Sequence, residues 1–263
     1  MSPQAFEGCR LMTKSMFALV VCTAAMFSHA VAHAASDEPK VVAFYAVDVE
    51  PDHSHFGQDA LKFLTAIAAK DKFNFVTTTN WADLNDSYLQ NCKLVIWLND
   101  EPHTPEQEQA FQKYMTNGGA WLGFHAVGYT EKKTRWPWYQ SFLGGIFDNN
   151  SWPPLPAELL VTDRNHPVTK NLPESFESPS NEWYSWDPNP AFNKDVKVLL
   201  NLAPANFPLG IKDILRGGNI PVVWTNTKYK MLYINMGHGD KIFTSPIQNT
   251  LIENAVLWLA QAQ

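Results

Sequence analysis

Beyond residue 40 the chain alternates short unbroken apolar runs with longer segments of helical periodicity. Residues 41–47 (Val-Val-Ala-Phe-Tyr-Ala-Val) are continuously apolar over strand length, the pattern of a strand buried on both faces of a parallel sheet and expected at its centre. Phe56, Ala60, Phe63, Leu64 and Ile67 then recur at helical spacing, and residues 73–79 return to β-branched and aromatic side chains. Residues 93–98 form another apolar run. Thr104-Pro105-Glu106-Gln107 reads as a capping box with Pro at the first helical position, and Gly118-Gly119 closes that helix. Residues 120–124 form the next strand and deliver His125 at its C-terminal end. Four strands alternating with helices predict a flavodoxin-like α/β fold: a doubly wound, mostly parallel sheet with helices on both faces.

The second half reads differently. Trp152-Pro153-Pro154-Leu155-Pro156 predicts a rigid loop and residues 158–162 a shorter strand. Residues 196–200, 222–225 and 231–235 are further strands, the last two as a hairpin. Ser245-Pro246-Ile247-Gln248 reads as a second capping box, opening a helix with Leu251, Ala255, Trp258 and Leu259 on its buried stripe. Without an internal repeat or a linker, one domain over residues 35–263 with an elaborated second half is the economical organisation.

Residues 1–34 stand apart. Arg10 and Lys14 precede an apolar stretch from Met16 to Phe27, and Ala32-His33-Ala34 precedes polar Ser36-Asp37-Glu38. This is the pattern of a secretory signal peptide cleaved after Ala34, with Met12 an alternative start. The apolar stretch is too short to span a bilayer, so the expectation is a periplasmic or secreted protein with no stable membrane insertion after cleavage. Of three cysteines, Cys9 and Cys22 lie in this leader, leaving Cys92 as a small buried hydrophobe in a domain held by its core. Lys and Arg total 20 against 26 Asp and Glu, with no basic block, which argues against nucleic acid as a partner.

Candidate chemistry gathers after the strands, where open α/β sheets bind ligands. There lie His53 and His55 after the first strand, His103 after the third, His125 after the fourth, and His238 with Asp240 after a late one. Neighbouring strands are roughly 4.8 Å apart, so such side chains can share one ligand. Histidines with a carboxylate suit a divalent metal, zinc first, with His53, His125 and His238 as ligands. The same imidazoles can instead act as general acids or bases without metal, or lie in surface loops and bind nothing. Gly123-Phe124-His125-Ala126-Val127-Gly128 matches a nucleophile elbow in its turn, but His125 stands where Ser or Cys would attack. Trp136-Pro137-Trp138-Tyr139 and Glu182-Trp183-Tyr184-Ser185-Trp186 put aromatics beside polar groups, a composition that stacks on sugars or simply packs a core.

Several of these motifs together resemble the ThuA-like (trehalose utilisation) family of the class I glutamine amidotransferase-like superfamily. They are Asp52-His53 with Phe56 and Asp59-Ala60, Gly118-Gly119 leading to Gly123-Phe124-His125-Ala126, and Trp136-Pro137-Trp138-Tyr139 leading to Leu143-Gly144-Gly145. His166-Pro167-Val168-Thr169, Asn181-Glu182-Trp183-Tyr184, Gly237-His238 and Asn254-Ala255-Val256-Leu257-Trp258 continue the match. The resemblance implies a flavodoxin-like scaffold without the amidotransferase cysteine, a His-lined crevice, and a role in disaccharide and keto-sugar metabolism. Carried over by position, His53, His125, Glu182 and His238 are the site residues, and Asn181 departs from the Asp common there. The expectation is an exported enzyme, a hydrolase or isomerase, acting on a small-molecule carbohydrate. His125, Glu182 and His238 would be catalytic, and Trp136, Trp138, Trp183 and Asp240 would bind substrate. The alternative is a non-catalytic carbohydrate-binding module in which Trp136, Trp138 and Trp183 stack on a sugar.

Overall fold

The computed structural model describes residues 40–210 and 218–261; the predicted leader lies outside them. The strands are Lys40–Phe44 (β1), Asn74–Thr78 (β2), Leu94–Trp97 (β3), Ala120–Phe124 (β4), Phe147–Asn150 (β5), Leu155–Val161 (β6), Ser175–Asn181 (β7), Tyr184–Trp186 (β8), Val196–Leu202 (β9), Pro221–Asn226 (β10) and Lys230–Ile234 (β11). The helices are Pro51–Asp71 (α1), Asp86–Leu89 (α2), Pro105–Thr116 (α3), Pro137–Leu143 (α4) and Pro246–Ala260 (α5). Among the described residues no helix is long and apolar enough to cross a membrane.

Nine strands form one sheet in the order β2-β1-β3-β4-β11-β10-β9-β6-β7, and β5 pairs with β8 in a separate ribbon. The first five are joined in parallel, which is the flavodoxin-like arrangement, and the last four extend it by antiparallel pairing. Following these pairings, β2, β1, β3, β4, β11, β9 and β7 run one way while β10 and β6 run the other. The predicted central strand, β1, sits one in from the edge, because β2 takes the outer position and the sheet grows on its other side.

Strict alternation splits the strand side chains between two cores. Val41, Ala43, Leu94, Ile96, Leu122 and Ile234 face the layer holding α1 and α5, through Phe56, Leu64, Leu251 and Ala255. Val42, Phe44, Val95, Trp97, Trp121 and Tyr233 face the layer of α3 and α4, through Phe111, Met115 and Phe142. Each fully buried Phe or Leu contributes roughly 1.5–3 kcal/mol against exposure, so the alternation fixes which way every strand faces.

The capping box of α3 forms as the sequence predicts. That of α5 forms only halfway: Ser245 accepts from the Gln248 amide nitrogen, but the Gln248 side chain turns inward to Ser178 (2.7 Å) and the Ile242 carbonyl (2.8 Å). β6 starts earlier than the predicted strand and includes Pro156, which lies where the register with β7 shifts, a position where a missing ladder donor is tolerated.

Candidate active site

The shared strand direction carries the ends of β1, β4, β7 and β11 to one edge of the sheet. His53 comes from the first turn of α1, not from a loop: Glu50 caps the helix by accepting the His53 backbone N–H (3.0 Å). The end of β3 contributes Asn99 rather than a histidine. Its buried amide donates to the carbonyls of Ala46 (3.0 Å) and His53 (3.1 Å) and accepts from the Ala46 N–H (2.9 Å), pinning the turn between β1 and α1.

His125 sits at the predicted elbow with φ +36°, the left-handed region that L side chains rarely adopt. Two buried tyrosines hold the turn: Tyr233 donates to the His125 carbonyl (2.9 Å) and Tyr139 to that of Val127 (2.8 Å). The chain after β11 approaches so closely that a Cβ on Gly237 would stand 2.6 Å from the Cβ of His125. Asn181, at the end of β7, ties the remaining pieces together. Its oxygen accepts from the N–H groups of Gly237 (3.0 Å) and His238 (3.1 Å), and its nitrogen donates to the Glu182 carbonyl (2.8 Å). The amide found where the resemblance implies a carboxylate therefore both accepts and donates.

His53, His125 and His238 form a triangle with ring centroids 5.1–5.2 Å apart. With Glu182 they offer four ligand atoms within 4.8 Å of one another. The His125 Nδ1–H donates to the Asn235 carbonyl (2.8 Å), which assigns the tautomer and leaves the lone pair on Nε2. That Nε2 lies 3.4 Å from Glu182 Oε2, while Asn150 donates to the other carboxylate oxygen. Burial lowers the pKa of His125. Burial, then the neighbouring His125 and His238, push His53 down to about 3. For Glu182, burial works upward but contact with His125 and the three imidazoles prevail, leaving its pKa below the usual value. At neutral pH His53 and His125 are thus uncharged and Glu182 is a carboxylate.

Two acceptors, His125 Nε2 and Glu182 Oε2, then face each other with no proton between them. His53 Nε2, His125 Nε2 and His238 Nδ1 are all buried without a hydrogen-bond partner. A buried ring nitrogen without a partner is costly, and a cation shared by the four residues would remove the cost, so the residues fit a divalent metal. Glu50, which carries no motif signal in the sequence, and Asp52, which belongs to the Asp52-His53 match, stand beside His238. Asp52 Oδ2 is 3.6 Å from His238 Nδ1, and Glu50 Oε2 is 3.9 Å from His53 Nδ1 and 3.8 Å from His238 Nε2. The two carboxylates thus flank both ring nitrogens of His238.

A cavity of about 370 Å³ opens beside the cluster. His53, Glu182 and Asn150 stand at its polar end, and Ala126, Tyr129, Phe147 and Tyr184 form the rest of its wall. None of the three tryptophans expected to stack on substrate reaches it. Trp183 is 0% exposed, with its indole N–H donating to the Leu155 carbonyl (2.9 Å). Trp136 and Trp138 stack on each other (5.7 Å) and pack against Phe111 on the α3 side, because the apolar face of α4 needs them there. Asp240 is exposed and paired with Lys241 (3.0 Å). His55 and His103 are exposed beside Asp52 and Asp100, outside the cluster. The Cys92 thiol is buried, donates to the Tyr88 carbonyl (3.4 Å) and has its pKa raised by burial.

The family model for trehalose utilisation, ThuA, matches residues 40–259. A putative ThuA-like protein from Bacteroides uniformis is 45% identical, with a TM-score of 0.82 over 85% of this chain and 92% of that one. Another, from Parabacteroides merdae, shares the fold at 16% identity, with a TM-score of 0.62 over 85% of this chain and 90% of that one. A putative GMP synthase component from Thermoplasma acidophilum shares it at 9% identity, with a TM-score of 0.52 over 85% of this chain and 94% of that one. No curated protein matches the chain. With a family model spanning nearly all the described residues and a 45% identical relative of the same kind, the chain belongs to the ThuA family.

Proposed function

We propose that this ThuA protein is an exported, metal-dependent enzyme acting on a sugar, disaccharide or keto-glycoside, by hydrolysis or isomerisation. The observation that carries this reading is the convergence of His53, His125, His238 and Glu182, with buried imidazole nitrogens lacking any other partner. These four residues would hold a divalent ion, zinc being the first candidate. Such an ion supplies Lewis acidity toward a substrate oxygen. The chain's own contributions are separate. Asn235 fixes the His125 tautomer, and Asn150 orients Glu182 by donating to its second carboxylate oxygen. Cysteine-dependent amidotransfer has no attacking atom here: His125 occupies the elbow, and Cys92 is a buried, protonated thiol on another strand's approach.

A non-catalytic binding module would need other rings for its sugar than the three tryptophans, since Trp183 is sealed in the core and the partly buried Trp136 and Trp138 pack against Phe111 away from the cavity. The deciding experiment is metal analysis of the purified mature protein beside His125→Ala. About one equivalent of a divalent metal in the native protein, absent from the variant, and metal-dependent turnover of a keto-glycoside are expected. Native protein that neither carries a metal nor takes one up on reconstitution overturns the proposal. Export is checked by N-terminal sequencing of protein from the periplasm or medium, which should begin at Ala35.

A further inference from the structure

The cavity beside the cluster has two unlike ends, and the aromatic part of its wall has no role in holding a metal. Tyr129 is 52% exposed although large and aromatic, and its ring lies 4.7 Å from that of Phe147. Phe147 lies 4.7 Å from Tyr184, whose ring covers His125 at 4.3 Å. A continuous aromatic surface therefore runs from the buried imidazole to solvent along one side of a cavity of about 370 Å³, at the small end of the range for small-molecule sites. The same cavity is also lined by hydrogen-bonding groups, Glu182 and Asn150. No Lys or Arg lines the cavity among the described residues. Lys132, three residues after Tyr129, is taken up by Asp187 (2.9 Å) and Asp148 (3.9 Å).

We propose that Tyr129 and Phe147 form the platform on which an uncharged, hydroxyl-bearing ring stacks, and that the same site rejects phosphorylated sugars. A pyranose matches this surface because its axial C–H groups give it an apolar face while its hydroxyls project around the edge. The apolar face meets the aromatic wall, and the edge meets Glu182 and Asn150. Charge supplies the discrimination. Glu182 is the charged side chain of the lining, Glu50 and Asp52 gather at His238 behind it, and no arginine or lysine of the lining is there to receive a phosphate dianion. This inference rests on the proposed function for its reactive end, but the platform's residues are not metal ligands, so the two fail separately.

The test is isothermal titration of the metal-replete protein with trehalose, methyl α-glucopyranoside and glucose 6-phosphate, using the native chain, Tyr129→Ala and Tyr129→Phe. The backbone N–H of Tyr129, which donates to the Ala126 carbonyl (3.0 Å), survives either change. Tyr129→Ala should weaken binding of the neutral sugars about tenfold, Tyr129→Phe should keep it within about twofold, and both should retain native metal content. Glucose 6-phosphate should bind at least about tenfold more weakly than methyl α-glucopyranoside. Unchanged affinity in Tyr129→Ala, equal or tighter binding of the phosphorylated sugar, or no binding of either neutral sugar at millimolar concentration overturns the inference. Neutral-sugar binding that depends on Tyr129 in a protein unable to take up metal upholds the platform and overturns only the metal-dependent reading.

Discussion

Asn181 shows how much of the site hangs on one uncharged side chain. It is 0% exposed, and replacing it with Ala strands the N–H groups of Gly237 and His238 with no acceptor. Each buried unsatisfied donor costs about 1–3 kcal/mol, so Asn181→Ala should lose at least about 2 kcal/mol in chemical denaturation and loosen His238 enough to weaken metal uptake. A loss below about 0.5 kcal/mol would show that these donors find water instead. Protonation gives a second test at this scale. In the unfolded chain His53 and His125 regain ordinary pKa values near 6.5, whereas in the folded chain His53 is held near 3 by burial and its neighbours and His125 is also lowered. The unfolded state therefore binds more protons below pH 6.5. The metal-free protein should lose stability as pH falls from 6.5 toward 3, by about 2 kcal/mol between pH 7 and 5 for His53 alone. Equilibrium unfolding at pH 7 and 5 measures it, and His53→Ala should flatten the dependence; a native protein equally stable at both values would contradict neutral buried imidazoles.

At the scale of elements, the first turn of α1 is a cap and a wall of the site at once. Glu50 satisfies the His53 N–H while its carboxylate stands beside the rings of His53 and His238. Glu50→Gln keeps an acceptor for the cap but removes the charge, and should lower metal affinity about tenfold with little change in stability. Glu50→Ala should add about 1 kcal/mol of destabilisation. Equal metal affinity in native protein and Glu50→Gln, read by competition with a chelator dye, would remove Glu50 from any role in orienting the histidines. The same turn explains what the sequence concealed. Pro51 and Asp52 suit a helix start, but Glu is not among the strong N-cap residues and the apolar periodicity begins only at Phe56, so His53 read as a loop residue. β1, β3 and β4 were legible because strands buried on both faces must be continuously apolar. β7, Ser-Phe-Glu-Ser-Pro-Ser-Asn, is an edge strand with mixed burial and carries no such signal. The ribbon of β5 and β8, which sets Asn150 opposite Tyr184, is held by contacts distant in sequence. Aromatic composition likewise could not tell Trp183, sealed in the core, from Tyr129, open at the cavity.

Across the whole molecule, His53, His125, Glu182 and His238 belong to four segments that meet only because seven strands of the large sheet share a direction and the second half returns to the strand ends. An ion bound by all four would cross-link those segments in the native state and bind the unfolded chain poorly. Free metal at a hundred times its Kd then stabilises the fold by about 2.7 kcal/mol. For a domain of this size that corresponds to a rise in Tm of about 5–10 °C over the chelator-treated protein. Trp136→Ala is the informative control: it removes a ring stacked at 4.9 Å on Tyr139, so it should lower the Tm with and without metal yet keep the metal-dependent rise. His53→Ala should do the reverse, abolishing the rise while removing a partly buried side chain of much smaller area. A rise that survives in His53→Ala would mean that the ion binds elsewhere, and a native Tm unmoved by zinc, manganese or chelator would remove the cross-link altogether.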